Sequence, residues 1–139
     1  GLIDEPIKRK RSDPTSFNVD ETGRKATTGY KIERAWRYIS KVQFYPKTGR
    51  THQIRVHADH MGHPIVADQK YGGGENRTKG FLPEVTKELR QVLTILERQA
   101  LHAMSIEFLH PETEKTVSFQ APFPDDINSA IKLLNEKYG

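Results

Sequence analysis

The clearest periodic segment of the chain runs from Pro83 to Leu96. Apolar residues recur there at helical spacing, and proline at the first position is compatible with a helix because no N–H is needed at that point. A second amphipathic segment follows Pro124, with Asp125 as a candidate N-cap. Its apolar positions are Ile127, Ile131 and Leu134. The pattern therefore predicts two amphipathic helices.

Strand-like patterns precede each of these helices. Two runs of β-branched and aromatic residues lie on either side of 35–37 and predict an antiparallel pair, which Pro46 and Gly49 would end. A hairpin is predicted where apolar residues alternate on both sides of a turn at 110–113. Its apolar positions are Met104, Ile106, Phe108, Val117 and Phe119. The elements together predict a mixed α+β fold with a largely antiparallel sheet flanked by helices.

Residues 8–23 are polar and carry Pro14 and Gly23, which predicts a surface loop. The loop begins with a basic run, 8–11. Solvated loop charge is the simplest interpretation of such a run, with a phosphate contact or a localisation signal as alternatives.

A short helix is predicted between Thr51, a good N-cap, and Gly62, which suits the left-handed C′ position. Such a helix would place Ile54, Ala58 and Met61 on one side. The following segment, 63–74, reads as a loop, with its three glycines at 72–74 as a flexible hinge.

Composition and charge narrow the classes of function. At 139 residues the chain is one domain or part of a larger one, with 35% hydrophobic and 29% charged residues. A net charge of +4 favours a polyanionic partner, nucleic acid ahead of membrane. No cysteine is present, which excludes disulfides, thiolate zinc sites and a cysteine nucleophile. No apolar run approaches the roughly 20 residues of a membrane-spanning helix, so a cytoplasmic protein is expected. The opening 1–6 reads like the inside of a longer chain.

Other common site chemistries have little support. His57, His60 and His63, with Asp59 nearby, resemble a ligand set, but they lack an HExxH pattern and a glutamate base. We therefore expect no metal. The serines lack a Gly-x-Ser-x-Gly context, and the glycines at 72–74 lack the Lys-Ser or Lys-Thr ending of a phosphate-binding loop.

Several demands of anion recognition converge between Arg50 and Arg55. Arg50 follows a glycine, where backbone and guanidinium donors can approach a phosphate closely. His52 and Gln53 would occupy the first helical turn, where free amides favour anions. Arg55, about one turn further on, is a candidate for a buried ion pair with a carboxylate. The segment predicts RNA or phosphate binding, with a charged surface helix as the alternative.

The same segment carries a family resemblance. Residues 49–57, then 62–68 and the Tyr71-Gly72 pair, resemble the third sequence motif of the RluA-type pseudouridine synthases. Residues 1–7 resemble the segment that follows the central motifs of that family, 23–28 its entry to the next strand, and 101–113 its late hairpin. The matches cover nearly the whole chain in order.

The resemblance implies isomerisation of a uridine in ribosomal or transfer RNA: the N1 glycosidic bond breaks and a C5 bond to the same sugar forms. Enzymes of this family use an aspartate at the sugar carbon and a tyrosine near the uracil, without cofactor or metal, on a flipped base. Two candidate catalytic residues follow from the resemblance: Arg55 matches the arginine that pairs with the aspartate, and Ile54 matches the apolar residue that packs the uracil site. Matches to the RNA side of the cleft are Arg50, Thr51, His52 and Gln53.

The chain departs from the family pattern in one respect. The aspartate of the family lies in an Arg-Leu-Asp context that none of the seven aspartates here has, and its tyrosine precedes the region matched by Gly1. We therefore expect residues 1–139 to be the C-terminal portion of a pseudouridine synthase catalytic domain, inactive alone, with the partner of Arg55 upstream of Gly1. The alternative is a non-catalytic RNA-binding module.

Overall fold

The computed structural model describes all residues from 1 to 139. In chain order the elements are β1 (Leu2–Asp4), β2 (Ile7–Arg9), β3 (Phe17–Val19), β4 (Thr27–Ala35), β5 (Ser40–Pro46), α1 (Gln53–His60), a 3₁₀ turn (Glu75–Thr78), α2 (Pro83–Ile95), β6 (Ser105–Leu109), β7 (Thr116–Gln120) and α3 (Asp125–Tyr138). The predicted α+β class is confirmed, and every strand pair is antiparallel. The longest helix has 14 residues, and no helix combines the length and the apolar character that crossing a bilayer requires.

Strands β1, β4 and β5 form one sheet in the order β1-β4-β5, which confirms the predicted antiparallel pair on either side of 35–37. Tyr30 lies opposite Phe44, and the register shifts between Ile32 and Arg34. Strands β6 and β7 form the predicted second hairpin, with Ile106 opposite Phe119.

The predicted surface loop at 8–23 is partly wrong, because β2 and β3 pair within it as a hairpin. Ile7 lies opposite Val19, and both pack with the core residues beside α1. A carboxylate-centred turn closes the hairpin: Asp13 accepts hydrogen bonds from the backbone N–H and hydroxyl of Thr15 and from the Ser16 hydroxyl. The polar composition concealed these three-residue strands, whose apolar positions are too few for a periodic signal.

Both predicted amphipathic helices are present. Helices α2 and α3 pack together with Trp36, whose indole N–H donates to Asn135 Oδ1 at 3.0 Å. The prediction that Asp125 is the N-cap of α3 is wrong. Asp125 lies in the first turn of the helix, where a carboxylate complements the helix dipole.

Helix α1 begins later than predicted. His52, not Thr51, occupies the N-cap position, in the left-handed region with φ of 56°, and no side chain caps the helix. The buried residues of α1 are Gln53, Val56, His57 and Ala58, whereas Met61 is 45% exposed. The predicted apolar side is therefore right for Ala58 and wrong for Met61, and polar side chains of α1 bond to the sheet beneath it.

The predicted end of α1 is confirmed. Gly62 has φ of 79°, and its N–H donates to Asp59 O at 2.9 Å. The N–H of His63 donates to Ala58 O at 3.0 Å, which completes a Schellman motif.

The three glycines at 72–74 are not a hinge. A Cβ on Gly73 would lie 1.7 Å from Ile65 O, so only glycine permits this close approach of two backbone segments. The N–H of Gly73 donates to Asp68 O, and its carbonyl accepts from Ala67 N–H, both at 2.8 Å. The glycines thus close a compact loop around Asp68.

The chain exposes more surface than a complete domain of its size. Its accessible area is 9576 Å² at 15.9 kDa. A folded monomer of that mass exposes about 7,400 Å², so the excess is roughly 2,200 Å². Part of the excess is apolar: Ile106 and Phe119, directly opposite each other on β6 and β7, are 59% and 60% exposed.

Candidate functional site

Arg55 and Asp68 form the central ion pair of the site. Arg55 Nε donates to Asp68 Oδ2 at 2.7 Å and one terminal nitrogen, Nη2, donates to Oδ1 at 2.9 Å. The Asp68 side chain is 1% exposed and that of Arg55 is 14% exposed. This two-point bond raises the pKa of Arg55 above its usual range, so the guanidinium stays charged.

The predicted buried ion pair between Arg55 and a carboxylate is thus confirmed. The carboxylate is that of Asp68, thirteen residues after the arginine, and a second partner upstream of Gly1 stays a prediction. Arg55 Nη1 makes no hydrogen bond, and no buried side-chain nitrogen or oxygen lacks a partner, so Nη1 is open to solvent. The guanidinium can therefore accept a second anion.

Tyr71 joins Arg55 to His52. The centre of the Arg55 guanidinium lies 4.8 Å from the Tyr71 ring centroid, a cation–π contact. The Tyr71 hydroxyl accepts from Phe17 N–H at 3.1 Å and lies 2.7 Å from His52 Nδ1. Burial raises the pKa of Tyr71, so its hydroxyl stays protonated. A hydrogen bond donated by this hydroxyl to Nδ1 would place the proton of neutral His52 on Nε2.

The predicted site residues from Arg50 to Ile54 differ in their exposure. Arg50 and Thr51 are exposed, and the Nε of Arg50 donates to Lys25 O at 2.9 Å, which leaves its terminal nitrogens free. His52 and Ile54 are half-buried. Gln53 is buried, so its predicted place on the RNA side of the cleft is wrong.

Gln53 instead joins α1 to the sheet and to the preceding loop. Its amide nitrogen donates to Thr27 O and to Thr28 Oγ1, each at 3.0 Å. Its carbonyl oxygen accepts from the Thr48 hydroxyl at 2.7 Å and from Arg50 N–H at 3.0 Å. These bonds hold the loop that presents Arg50.

His57 continues this buried network. Its Nε2 lies 2.9 Å from Glu5 O, which can only accept, so Nε2 carries the proton. Its Nδ1 then accepts from the Thr28 hydroxyl at 2.7 Å. His60 and His63 are exposed, and no three potential ligand side chains approach one another closely enough to hold a metal ion.

The pKa of His52 offers a direct check on this geometry. Burial chiefly, then the positive charges of Arg55 and Lys70, lower the pKa of His52 below its ordinary value of about 6.5. Because the folded state binds the proton less readily than the unfolded state, His52 stabilises the fold fully above pH 6.5. This contribution is lost as pH falls through the lower folded pKa.

We expect an NMR titration to give His52 a pKa below 6.5 and Lys70→Gln to raise it, because the substitution removes one of the positive charges. The control is Lys132→Gln, which removes the same charge from an exposed position on α3, the helix that packs with α2 and Trp36. It should leave the His52 pKa unchanged. An unperturbed His52 in the unaltered chain would contradict the buried arrangement.

The sequence pattern singles out Arg50 to Arg55 but gives no role to Asp68, Tyr71 or Phe17. The first two stand within the recognised motif, and their place in it was the only signal available. The hydrogen bond from the Phe17 backbone to Tyr71 spans 54 residues of sequence. No local pattern predicts a contact at that separation.

The chain is similar to known proteins in sequence and in fold. No protein-family model matches the chain. Ribosomal large subunit pseudouridine synthase D of Vibrio cholerae is 38% identical over 136 residues, covering 98% of this chain and 41% of that protein. The protein of the same name from Xanthomonas campestris is 39% identical over 136 residues, covering 98% and 40%. The chain thus spans about two-fifths of the length of the curated relatives it matches.

Two solved structures share the fold. Human RNA pseudouridylate synthase domain containing 4 superposes with a TM-score of 0.68 at 23% identity, covering 97% of this chain and 56% of that one. Human RNA pseudouridylate synthase domain containing 1 gives a TM-score of 0.65 at 24% identity, covering 94% and 51%. Nearly the whole chain is thus similar in sequence to part of the pseudouridine synthases named here, and it shares the fold of RNA pseudouridylate synthase domains, which supports its correspondence to the C-terminal part of an RluA-type enzyme.

Proposed function

We propose that this chain is the C-terminal portion of the catalytic domain of an enzyme that isomerises uridine to pseudouridine in ribosomal RNA. The observation that carries the proposal is the Arg55 guanidinium, which is held in a buried ion pair and keeps one terminal nitrogen open. The similarity of 98% of the chain to a ribosomal large subunit pseudouridine synthase supports it. Ribosomal RNA is favoured over transfer RNA by the names of the relatives, and a cytoplasmic location accords with that substrate.

The open nitrogen suits the chemistry that the reaction requires. A carboxylate that attacks or stabilises the sugar carbon must be ionised, and a neighbouring guanidinium lowers the pKa of a carboxylate and fixes its orientation. By this proposal Arg55 Nη1 receives the catalytic aspartate, which the rest of the protein supplies. Ile54, half-buried on the same helix, packs against the uracil of the flipped nucleotide.

RNA contacts are assigned to the basic surface beside the site. Arg50 is exposed, with its terminal nitrogens free for a phosphate. The β2–β3 hairpin carries the basic run 8–11 and places Phe17 against His52, at 5.6 Å between ring centroids. The basic run 8–11 therefore lies on a hairpin that adjoins the site, where its positive charges favour binding of a polyanion.

The proposal is tested with the full-length protein that carries this chain and with ribosomal RNA labelled with tritium at C5 of uridine. Forming the C5–C1′ bond displaces the C5 hydrogen, so isomerisation releases tritium to water. We expect release by the full-length protein and none by the purified 139-residue chain, which has no Arg-Leu-Asp aspartate. Robust release by the 139-residue chain would overturn the assignment of the aspartate to another segment, and no release by the full-length protein would overturn the function.

A non-catalytic RNA-binding module is the second candidate, favoured by the basic hairpin and by the missing aspartate motif. It predicts RNA binding by the full-length protein without tritium release. The tritium-release assay, combined with a measurement of RNA binding by the same full-length protein, therefore separates the two functions.

A further inference from the structure

We infer that Asp68 is a positioning residue for the reaction: it permanently holds one edge of the Arg55 guanidinium and leaves Nη1 for the catalytic carboxylate. This inference rests on the proposed function. It assigns a role to a residue that does not itself reach the substrate.

The contacts of Arg55 fix its orientation on two sides. Asp68 takes the edge formed by Nε and Nη2, at 2.7 and 2.9 Å. The Tyr71 ring lies against the guanidinium, 4.8 Å from its centre. A planar group held at one edge and one face has little rotational freedom left, so the position of Nη1 is set before any ligand arrives.

Asp68 is itself immobilised by the loop around it. Its Oδ1 also accepts from Tyr71 N–H at 3.3 Å, and its backbone N–H donates to Ile65 O at 3.1 Å. The preceding Ala67 has φ of 63°, a left-handed conformation that costs energy for a residue with a side chain and persists only where surrounding contacts impose it. One such contact is the hydrogen bond from Ala67 N–H to Gly73 O at 2.8 Å, and Gly73 also approaches the Ile65 carbonyl too closely for any side chain.

An exchange of partners would leave Asp68 charged and buried without a counter-ion, which is strongly unfavourable. Arg55 is therefore shared by two carboxylates rather than transferred from one to the other. Asp68 takes two nitrogens, and the catalytic aspartate is restricted to the third.

The inference is tested in the full-length protein with a double-mutant cycle on tritium release. Asp68→Asn keeps the shape and one acceptor oxygen but removes the charge that holds the guanidinium. We expect kcat to fall about 100-fold with KM little changed, because a misplaced catalytic group costs on that order. In an Arg55→Lys background, which has no planar fork to hold, Asp68→Asn should lower kcat less than about 2-fold further, since coupled residues are non-additive.

Asp59→Asn is the matched control, because Asp59 is exposed near the end of the same helix as Arg55 and forms no ion pair. It should leave kcat and KM unchanged. A second readout is the Arg55 Nε–H resonance of the folded protein: we expect slow exchange with water in the unaltered protein and fast exchange with Asp68→Asn.

Equal kcat losses from Asp68→Asn in the arginine and lysine backgrounds would show a merely structural role and overturn the inference. Unaltered turnover, or an Nε–H that exchanges as slowly as before, would overturn it too. Absence of tritium release from the unaltered full-length protein would instead overturn the proposed function, and the inference with it.

Discussion

A charge placed on the apolar face of the β6–β7 hairpin should prevent this chain from joining the rest of the catalytic domain. Produced as two polypeptides, the 139-residue chain and the remaining portion should form a 1:1 complex that releases tritium from labelled RNA. Ile106→Asp with Phe119→Asp should weaken the complex at least about 100-fold, because each carboxylate would be buried unpaired. Tritium release should fall in parallel.

The geometry of the hairpin carries this prediction. Ile106 lies opposite Phe119 and Phe108 lies opposite Val117, so the four share one face. The rings of Phe108 and Phe119 stack at 6.1 Å between centroids. Nevertheless Ile106, Phe108 and Phe119 are each more than 40% exposed. Such a surface is typical of an unpartnered interface rather than of a finished domain.

The total exposed surface of the chain also indicates an uncovered interface. The excess of roughly 2,200 Å² over a monomer of this mass is the contribution that one side makes to a large obligate interface. The relatives contain more than half of their length outside the matched region, which is enough chain to cover it. The occupant that we propose is that remaining portion of the catalytic domain.

Ser118→Asp provides the matched control. Ser118 lies on the polar face of the same strand, opposite Glu107, and receives the same charge. It should leave assembly within a few-fold of the unaltered chain. Undiminished assembly of the doubly substituted chain, measured by analytical ultracentrifugation, would contradict the assignment of this face.

The elements that the sequence predicted correctly are those with local causes. Helix α2 follows from apolar residues at helical spacing after Pro83, and the left-handed end of α1 follows from Gly62. The β6–β7 hairpin follows from strict alternation. Each of these signals lies within one element and survives without knowledge of what packs against it.

The errors lie where distant contacts override local preference. Thr51 is a better N-cap residue than His52, yet His52 takes the position because its ring bonds to Tyr71, nineteen residues later. Gln53 resembles an exposed RNA contact in sequence but is buried among the threonines of β4. The Arg55–Asp68 pair depends on a left-handed alanine, which no propensity predicts.

Arg55→Ala in the full-length protein should abolish measurable tritium release while RNA affinity changes only a few-fold. The substitution removes the group proposed to keep the catalytic aspartate ionised and oriented, a loss of at least about 100-fold in rate. By the proposed function, RNA affinity depends mainly on phosphate contacts elsewhere, such as that of Arg50, and a filter-binding assay measures it separately.

The same substitution should also destabilise the protein, because Asp68 would be left buried and charged. Removing one member of a buried ion pair costs about 3–5 kcal/mol, which denaturant unfolding would detect. Arg55→Met combined with Asp68→Asn removes the unpaired charge, and most of the stability should return while tritium release stays absent. If this restabilised double variant turned over RNA normally, Arg55 would have no part in the reaction.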